Sequence, residues 1–580
     1  MHTRLQRLLA IGFIGLAYVH NTWIGWRKWG DLIIDCGKEW DIAAELVRGQ
    51  RLYVDNRYYY GPLTPHVNAL LFRCFGIHVD VLMYAGLCVT AAMCVVVYRL
   101  ARCFMDRPYA ALVTVSFLYL FAFSQVYPNG ICNFVLPYSP AASYGLLLAM
   151  TSLYFLIKFS RKSRLQYLIF SSIFLALVGL TKMELFFATG LAHAAFFIGL
   201  IWMRDSRWRR HLLAMSAGLA AMCCVYAGIV ASVSWDVFKD NVFGLFGTAY
   251  QQYSAELMGL TDVRQSALRM LSSFGIMAGV AAFVAFAAWL ARRAPDSREV
   301  RLGLFAAGLL IGGMVYRYCP SNLAFNGLPV LLAAGLLTLV ALAWKNSSRR
   351  AELLPHAVIH VFAFACLARI SLNCVMYGFP QFFLLPPALL VFAALWFVYL
   401  PGFTRLGAGL KFASRGVGCG ALLTLSAMQL SYSTNAFAQR TELIEFRRAT
   451  MYVTTGSEQM PMGKIFRALN GWLCSLPKDA RVLIVPYGVG FTFVADLKTP
   501  FRLHTYLPTD LTGHYVEENV VEEWKQHPPD YIVRIPTPGH AVLGGFGSNY
   551  ALLMRDWILQ NYASEATIGP SDFILIMKRR

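Results

Sequence analysis

The sequence predicts a polytopic α-helical membrane protein that ends in a small α/β domain. Hydrophobic residues fill 57% of the 580 positions and charged residues only 14%, against about a quarter charged in soluble domains. Apolar runs of membrane-spanning length recur from residue 8 to residue 432. Beyond that point Pro, Asp, Glu, Lys and Arg return, and short apolar runs alternate with helical patterns.

The first run, from Leu8 to Trp23, follows Arg4 and Arg7 and so has the flanks of a signal peptide. It carries no small-residue cleavage site and reads as a retained first helix. With it, thirteen spans are predicted: 8–24, 79–103, 109–126, 139–159, 166–181, 183–203, 211–234, 272–291, 302–316, 324–344, 353–373, 381–400 and 416–432. Crossing takes about 20 apolar residues, so 166–181 and 302–316 are short.

The net charge of +20 is not a nucleic-acid signature, because the cations cluster in short turns between apolar runs. Every second turn is basic: Arg99, Arg102 and Arg107; Lys158, Arg161, Lys162 and Arg164; Arg204, Arg207, Arg209 and Arg210. The same holds for Arg292, Arg293, Arg298 and Arg301; Lys345, Arg349 and Arg350; Arg405, Lys411 and Arg415. The intervening turns 127–138 and 374–380 hold no Lys or Arg; Arg27 and Lys28 break the pattern, but in a long loop, where it is obeyed poorly. A cytoplasmic N-terminus follows, with 25–78, 127–138, 235–271, 317–323 and 433–580 on the outer face. Residues 1–432 read as the transmembrane domain and 433–580 as an outer α/β domain. In the latter, Arg481–Pro486, Asp530–Ile535 and Phe573–Met577 read as strands, and Met462–Leu476, Val516–His527 and Asn549–Tyr562 as helices. No internal repeat is evident. Thirteen cysteines show no CxxC spacing; Cys319 and Cys374 fall near outer helix ends, where two free thiols are the plainer reading than a pair.

Ionisable groups at the membrane edge are costly unless paired or facing a cavity, which makes each a functional candidate. Asp35 and Glu39 follow the first helix, in a segment that also holds Asp31, Asp41, Glu45 and Asp55. Lys182 and Glu184 sit in GLTKMEL, Arg317 in VYRYCP and Arg369 in LARISLN. Carboxylates and cations gathered at the outer leaflet point to a reaction between an anionic, lipid-borne donor and a hydroxyl. Fixed Lys or Arg groups would stabilise the leaving phosphate, and a carboxylate would act as general base. Each has a bland alternative. Asp35 and Glu39 are four apart and would share a solvated helix face with Lys38 nearby. Lys182 and Glu184, two apart, would not face each other on a helix and would snorkel at a tight turn. Arg317 would snorkel too, and Arg369 would bridge helices through carbonyls. Tyr58, Tyr59 and Tyr60 would form an interfacial aromatic belt. Asn129, Asn133 and Tyr138 are placed to touch a sugar by position alone. His356 and His360 have metal-pair spacing but no acidic third ligand beside them, and no Walker or GxGxxG loop is present.

The acidic first loop, DCGKEWDIAAELVRGQRLYVDNRYYYGPLTP, resembles that of bacterial GT-C glycosyltransferases of the protein-mannosyltransferase and aminoarabinose-transferase type: an acid, G-x-x-LY-x-D, then an aromatic-Gly-Pro. GLTKMELFF, LARISLNCVMYGFP, PPDYIV and FGSNYALLMRDWI add to the resemblance, which covers nearly the whole chain through loose motifs. It implies a GT-C-like fold of about thirteen helices with a periplasmic α/β domain, in the bacterial inner membrane. It implies a glycosyltransferase that moves a sugar from a polyprenyl-phosphate donor to a cell-envelope glycan, lipid or protein, with inversion and no soluble cofactor. By the resemblance Asp35 maps to the catalytic or metal-associated carboxylate, Glu39 to its neighbour, and Lys182 to the donor phosphate, for which the membrane-edge charges Arg317 and Arg369 are further candidates. Glu184, Tyr59, Tyr60, Asn133 and Tyr138 would line the substrate. The first loop has no plain Asp-Glu dipeptide, so the division of labour between Asp35 and Glu39 and any divalent metal stay open. Three rivals remain: a transporter or flippase of lipid-linked glycans, a polysaccharide ligase or polymerase with Arg-centred chemistry, and an inactive scaffold that only binds lipid-linked glycans.

Overall fold

The computed structural model describes the chain except residues 1, 126–129, 243–247, 291–296, 320–324, 376–378, 403–407, 500 and 537–543. Asn129, Arg292, Arg293 and Arg405 therefore lie outside the described residues. Among the described residues, each of the thirteen predicted spans overlaps helix. In chain order the helices are α1 (His2–Gly25), α2 (Cys36–Val47), α3 (Leu63–Phe75), α4 (Val79–Phe104) and α5 (Arg107–Phe117). There follow α6 (Pro140–Lys162), α7 (Leu165–Gly179), α8 (Met183–Trp202), α9 (Trp208–Val233), α10 (Trp235–Val242), α11 (Thr248–Met258) and α12 (Val263–Leu290). The bundle closes with α13 (Arg298–Tyr318), α14 (Leu328–Lys345), α15 (Arg350–Leu367), α16 (Gln381–Leu384), α17 (Pro386–Ala394) and α18 (Ala408–Ala438).

Among the described residues nine helices are long and apolar enough to cross a membrane, and Arg107–Ala122, Leu165–Gly179 and Pro386–Gly402 are shorter apolar ones. The run that reads as short at 302–316 lies inside the 21 residues of α13, whereas α7 has 15, a rise of about 22 Å. Where water provides no driving force, helices associate through close backbone approach. Gly308 and Gly312 of α13 face carbonyls of Ala413 and Val417 so closely that a Cβ would lie 2.2 and 2.3 Å from them. Gly416 and Gly420 of α18 face Phe305 and Leu309 in the same way, at 2.2 and 2.1 Å. This four-residue glycine spacing on both helices welds the pair.

The basic turns meet at one end of the bundle. Arg161 donates to the Cys103 carbonyl, Arg350 to those of Ala343 and Trp202 at 3.1 and 3.3 Å, and Arg415 pairs with Asp106 at 3.2 Å. His356 lies there too, 2.9 Å from the Tyr399 hydroxyl, while His360 donates back to the His356 carbonyl at 2.7 Å. Both histidines are locally hydrogen-bonded residues, as their lack of an acidic partner predicts. Cys319 and Cys374 are free thiols.

The opposite end carries the acid-rich segment and the second domain. Strands β1 (Arg440–Glu445) and β2 (Thr450–Thr454) form an antiparallel pair. Then come α19 (Met462–Ser475), β3 (Val482–Val485), α20 (Val489–Val494), α21 (Glu517–Gln526), β4 (Tyr531–Arg534), α22 (Leu552–Asn561), β5 (Tyr562–Ile568) and β6 (Ile574–Arg579). The sheet order is β3-β4-β6-β5, with β3 and β4 parallel and the other pairs antiparallel. The three predicted strands and three predicted helices are all present within a few residues. Strands β1, β2 and β5 are additional; β5 is largely exposed and lacks a clear apolar alternation.

The segment between α1 and α3 is not a solvated loop. Nearly all of α2, from Cys36 to Leu46, is buried, clamped between the bundle and α20. Gly37 and Gly490 make the clamp: a Cβ on Gly37 would meet the Gly490 nitrogen at 2.3 Å, and one on Gly490 the Leu32 carbonyl at 2.4 Å.

Candidate active site

The chain enters the site through two tight turns built by its own acids. The Asp31 carboxylate accepts the backbone N–H groups of Ile33 and Ile34, both at 2.8 Å, and its other oxygen lies 3.9 Å from the buried Arg440 guanidinium. Asp35 follows with φ 46° and ψ −45°, while the Cys36 N–H donates to the Ile34 carbonyl at 2.5 Å. That is a γ-turn of the rare positive-φ form, a strained geometry of order 1–3 kcal/mol for a residue other than Gly. The turn places Asp35 at the N-terminus of α2, with Lys38 one turn on at 3.9 Å.

The remaining acids divide sharply by role. Asp41 meets His504 of the second domain at 3.2 Å, both side chains fully enclosed. Glu45 is tied to Arg48, and Asp55 accepts the Arg51 N–H at 2.7 Å. Glu39 is 2% exposed; one oxygen accepts from the Tyr58 hydroxyl at 3.1 Å, and the other has no hydrogen-bond partner among the described residues. Burial pushes the Glu39 carboxyl up to about 7, although Lys38 pulls the other way. Burial also raises Asp35, which Lys38 opposes and Asp510 and Asp31 reinforce. At Lys38 burial favours the neutral amine, but Asp35 and then Asp510 outweigh it and hold the ammonium above its usual range.

Three consecutive tyrosines connect this carboxylate wall to everything around it. Tyr58 donates to Glu39. Tyr59 donates to Asp510 of the second domain. The ring of Tyr60 carries the Lys182 ammonium over its face, 3.8 Å from the centroid. Tyr58 and Tyr59 are buried and Tyr60 half-buried, so the run is a hub rather than an aromatic belt. Gly61 and Pro62 dock it: the Gly61 and Leu63 N–H groups bond to the Thr181 and Leu180 carbonyls at 2.8 and 2.9 Å. A Cβ at Gly61 would sit 2.3 Å from the Leu180 oxygen, which explains the glycine of the aromatic-Gly-Pro motif.

The second wall is built from helix ends. Lys182 caps α8 in an extended conformation (φ −140°), and Glu184 lies in the first helical turn. The two pair at 3.2 Å, contrary to the expectation that residues two apart would diverge; that rule holds inside a helix, and Lys182 is outside it. Arg369, on a 3₁₀ turn after α15, reaches Glu184 at 2.5 Å. An acid at the start of α8 and a base at the end of α15 suit both helix dipoles. Two cations around one carboxylate leave one net positive charge.

Asp35, Glu184 and Arg369 all lie deep inside the protein, yet keep 25%, 26% and 23% of their side-chain surface open. Tyr60 lies between the two sets, and Tyr138, half-buried against Phe379 and Phe382 with ring centroids at 5.7 and 5.8 Å, flanks them. Arg317 is not part of the assembly: it is exposed at the end of α13. Nor is Asn133 directed at a ligand. Its amide donates to the Gly130 carbonyl at 2.6 Å and accepts from Val135 and Leu136 at 2.8 and 2.9 Å, so it shapes its own loop. Lys38, Tyr58, Asp510 and half-buried Tyr487 join the site from outside the predicted set. The last two arrive from more than 450 residues away, and no local signal marks them.

Among the described residues no three His, Cys, Asp or Glu side chains converge as a metal site requires. Asp35 instead faces the Lys38 ammonium. The residues present do not fit a metal at Asp35, and no step below runs through one.

No family model matches the chain, and no curated protein does. Among solved structures, it is similar to the oligosaccharyltransferase AglB from Archaeoglobus fulgidus, in complex with an inhibitory peptide and a dolichol-phosphate. That match has 13% identity and a TM-score of 0.49, over 91% of this chain and 69% of the other. ArnT from Cupriavidus metallidurans in the apo state matches over 100% and 98% of the two chains, at 12% identity and TM-score 0.43. Its undecaprenyl phosphate-bound form matches over 98% and 97%, at 11% and 0.43. Overlap at this level identifies neither the activity nor the substrate of this chain.

Proposed function

We propose that this chain is an integral-membrane glycosyltransferase of the GT-C type, which moves a sugar from a polyprenyl-phosphate donor to a hydroxyl of a cell-envelope acceptor. One observation carries the reading: a partly exposed carboxylate, Asp35, and a lysine–arginine cluster, Lys182 and Arg369, are gathered around one tyrosine, Tyr60. Asp35 takes the proton of the acceptor hydroxyl. The acceptor oxygen then bonds to the anomeric carbon as the bond from that carbon to the phosphate oxygen breaks. The electron pair leaves with the phosphate, whose charge falls to Lys182 and Arg369. A single displacement of this kind inverts the anomeric centre. Glu184 holds the two cations apart and aligned before the donor enters. Glu39 and Tyr58 fix the rear of the carboxylate wall.

The motifs of the first loop favour the same class, and the positive-inside distribution supports a site on the periplasmic face. The apolar helices supply the surface along which a lipid tail would lie. The acceptor is a glycan, a lipid or a protein.

The test uses purified full-length protein in detergent, a panel of polyprenyl-phosphate sugars and envelope extract as acceptor source. Transfer by wild type and its loss in a folded Asp35→Asn variant are the expected results. Undiminished transfer in Asp35→Asn removes Asp35 from the role of base. A wild type inert towards every donor, and instead moving lipid-linked glycan across vesicles, overturns the class.

A further inference from the structure

Lys38 stands between one carboxylate, Asp35, and a tyrosine ring held by a second carboxylate from far along the sequence. On one side lies Asp35 at 3.9 Å. On the other, the ammonium sits over the Tyr59 ring, 5.1 Å from its centroid, and the Tyr59 hydroxyl donates to Asp510. Asp510 is 4% exposed and is itself fixed, since its second oxygen accepts the Leu507 N–H at 3.0 Å.

The surroundings hold this junction rigid. The Arg57 N–H bonds to the Arg502 carbonyl at 3.0 Å. The Arg57 guanidinium lies between the Tyr59 and Tyr515 rings, 4.8 and 4.4 Å from their centroids, and donates to Thr512 at 3.1 Å. From α10, Asn241 accepts the Tyr58 N–H at 3.0 Å and Asp240 accepts the His514 N–H at 2.8 Å. Three chain segments thus converge on one tyrosine run.

We propose that Asp510 is a positioning residue of the active site: by holding Tyr59 and drawing on Lys38, it keeps that lysine from closing onto Asp35. This rests on the glycosyltransferase reading, in which Asp35 is the base. An ammonium in direct contact with Asp35 would neutralise it and blunt its pull on a proton; one shared with a second carboxylate stands off. The second domain therefore tunes the base without touching substrate.

The groups facing Asp35 are Asp31 and Cys36 on its own segment, Lys38 and Glu39 on α2, and Cys132, Tyr60, Tyr487 and Asp510 from elsewhere. Of these Asp510 is the carboxylate outside the first loop, and its negative charge raises Asp35.

The experiment compares wild type, Asp510→Asn, Tyr59→Phe and the double variant for sugar transfer across pH, in the full-length protein. Asn preserves an acceptor for Tyr59 while deleting the charge, and Phe preserves the ring while deleting the hydroxyl. Asp510→Asn is expected to move the acid limb of kcat to lower pH and reduce kcat about tenfold. The donor KM should stay within about twofold, because the cation wall is untouched. Tyr59→Phe should act in the same direction, and the double variant should be no worse than the poorer single one. A fall in kcat with an unmoved acid limb reduces Asp510 to a structural contact and overturns the proposal. So does an Asp510→Asn variant with wild-type rate and profile. A wild type inert towards every donor removes the glycosyltransferase reading and this one together, which distinguishes that failure from the failure of Asp510 alone.

Discussion

The two groups of side chains that meet at Tyr60, a carboxylate wall and a cation wall, are constructed in opposite ways. The carboxylate wall is irregular. Asp35 occupies a strained turn, its ion pair with Lys38 is loose at 3.9 Å, and its support comes from tyrosines and a distant domain. The cation wall is regular: two helix ends bring Lys182 and Arg369 onto Glu184 at 3.2 and 2.5 Å. The difference matches the tasks assigned to them. A base has to change protonation state during each turnover, so its environment is poised between two charges. A phosphate site needs fixed charge, which helix ends supply without reorganisation.

If the contrast is right, variants on the two walls will fail differently. Asp35→Asn gives the largest effect: loss of a general base lowers kcat by about 10²- to 10⁴-fold, with donor binding retained in an equilibrium assay using labelled polyprenyl phosphate. Weakened binding there would place Asp35 on the donor instead. Arg369→Ala follows, lowering kcat by about 10²- to 10³-fold through lost charge stabilisation. It should also weaken binding of the lipid phosphate in the same assay; binding as tight as wild type would leave Arg369 as a helix bridge.

Glu184→Gln sharpens the comparison. It keeps a hydrogen-bond acceptor for Arg369 and frees a unit of positive charge, so the lipid phosphate should bind about fivefold more tightly, worth ~1 kcal/mol. kcat should fall as the product phosphate lingers, and a weakened affinity would contradict the assignment. The smallest effect belongs to Glu39. Its carboxyl is raised from 4.5 to about 7, so between those values the folded protein binds more protons than the unfolded chain. Stability then falls as pH rises through that window. Glu39→Gln should flatten this slope when thermal midpoints are compared between about pH 5 and pH 8, and an unchanged slope would show that Glu39 titrates normally.

The bundle was legible because apolar length is a local property, and the basic turns gave its alternation for the same reason. The cation wall was half legible. Lys182, Glu184 and Arg369 stand out as charges at membrane edges, but their pairing depends on Lys182 being a helix cap, which composition does not reveal. Arg317 carried the same edge signal and proved peripheral; a charge near a helix end is equally consistent with a cavity wall and an outward face. Asn133 was chosen by position and serves its own backbone. Asp510 had no signal at all, since a carboxylate in a polar domain looks like every other. Its meaning lies in a contact spanning 451 residues, and such contacts are what folding adds to a sequence.

The paired glycines at 37 and 490 give that separation a consequence in time. The turn that bears Asp35 is synthesised more than 450 residues before the surface that seats it. A chain that extends only to α18 contains Lys182, Glu184 and Arg369 but lacks the surface against which α2 packs. On the proposed reading, the catalytic arrangement is complete only once the α/β domain has folded onto the segment that bears Asp35.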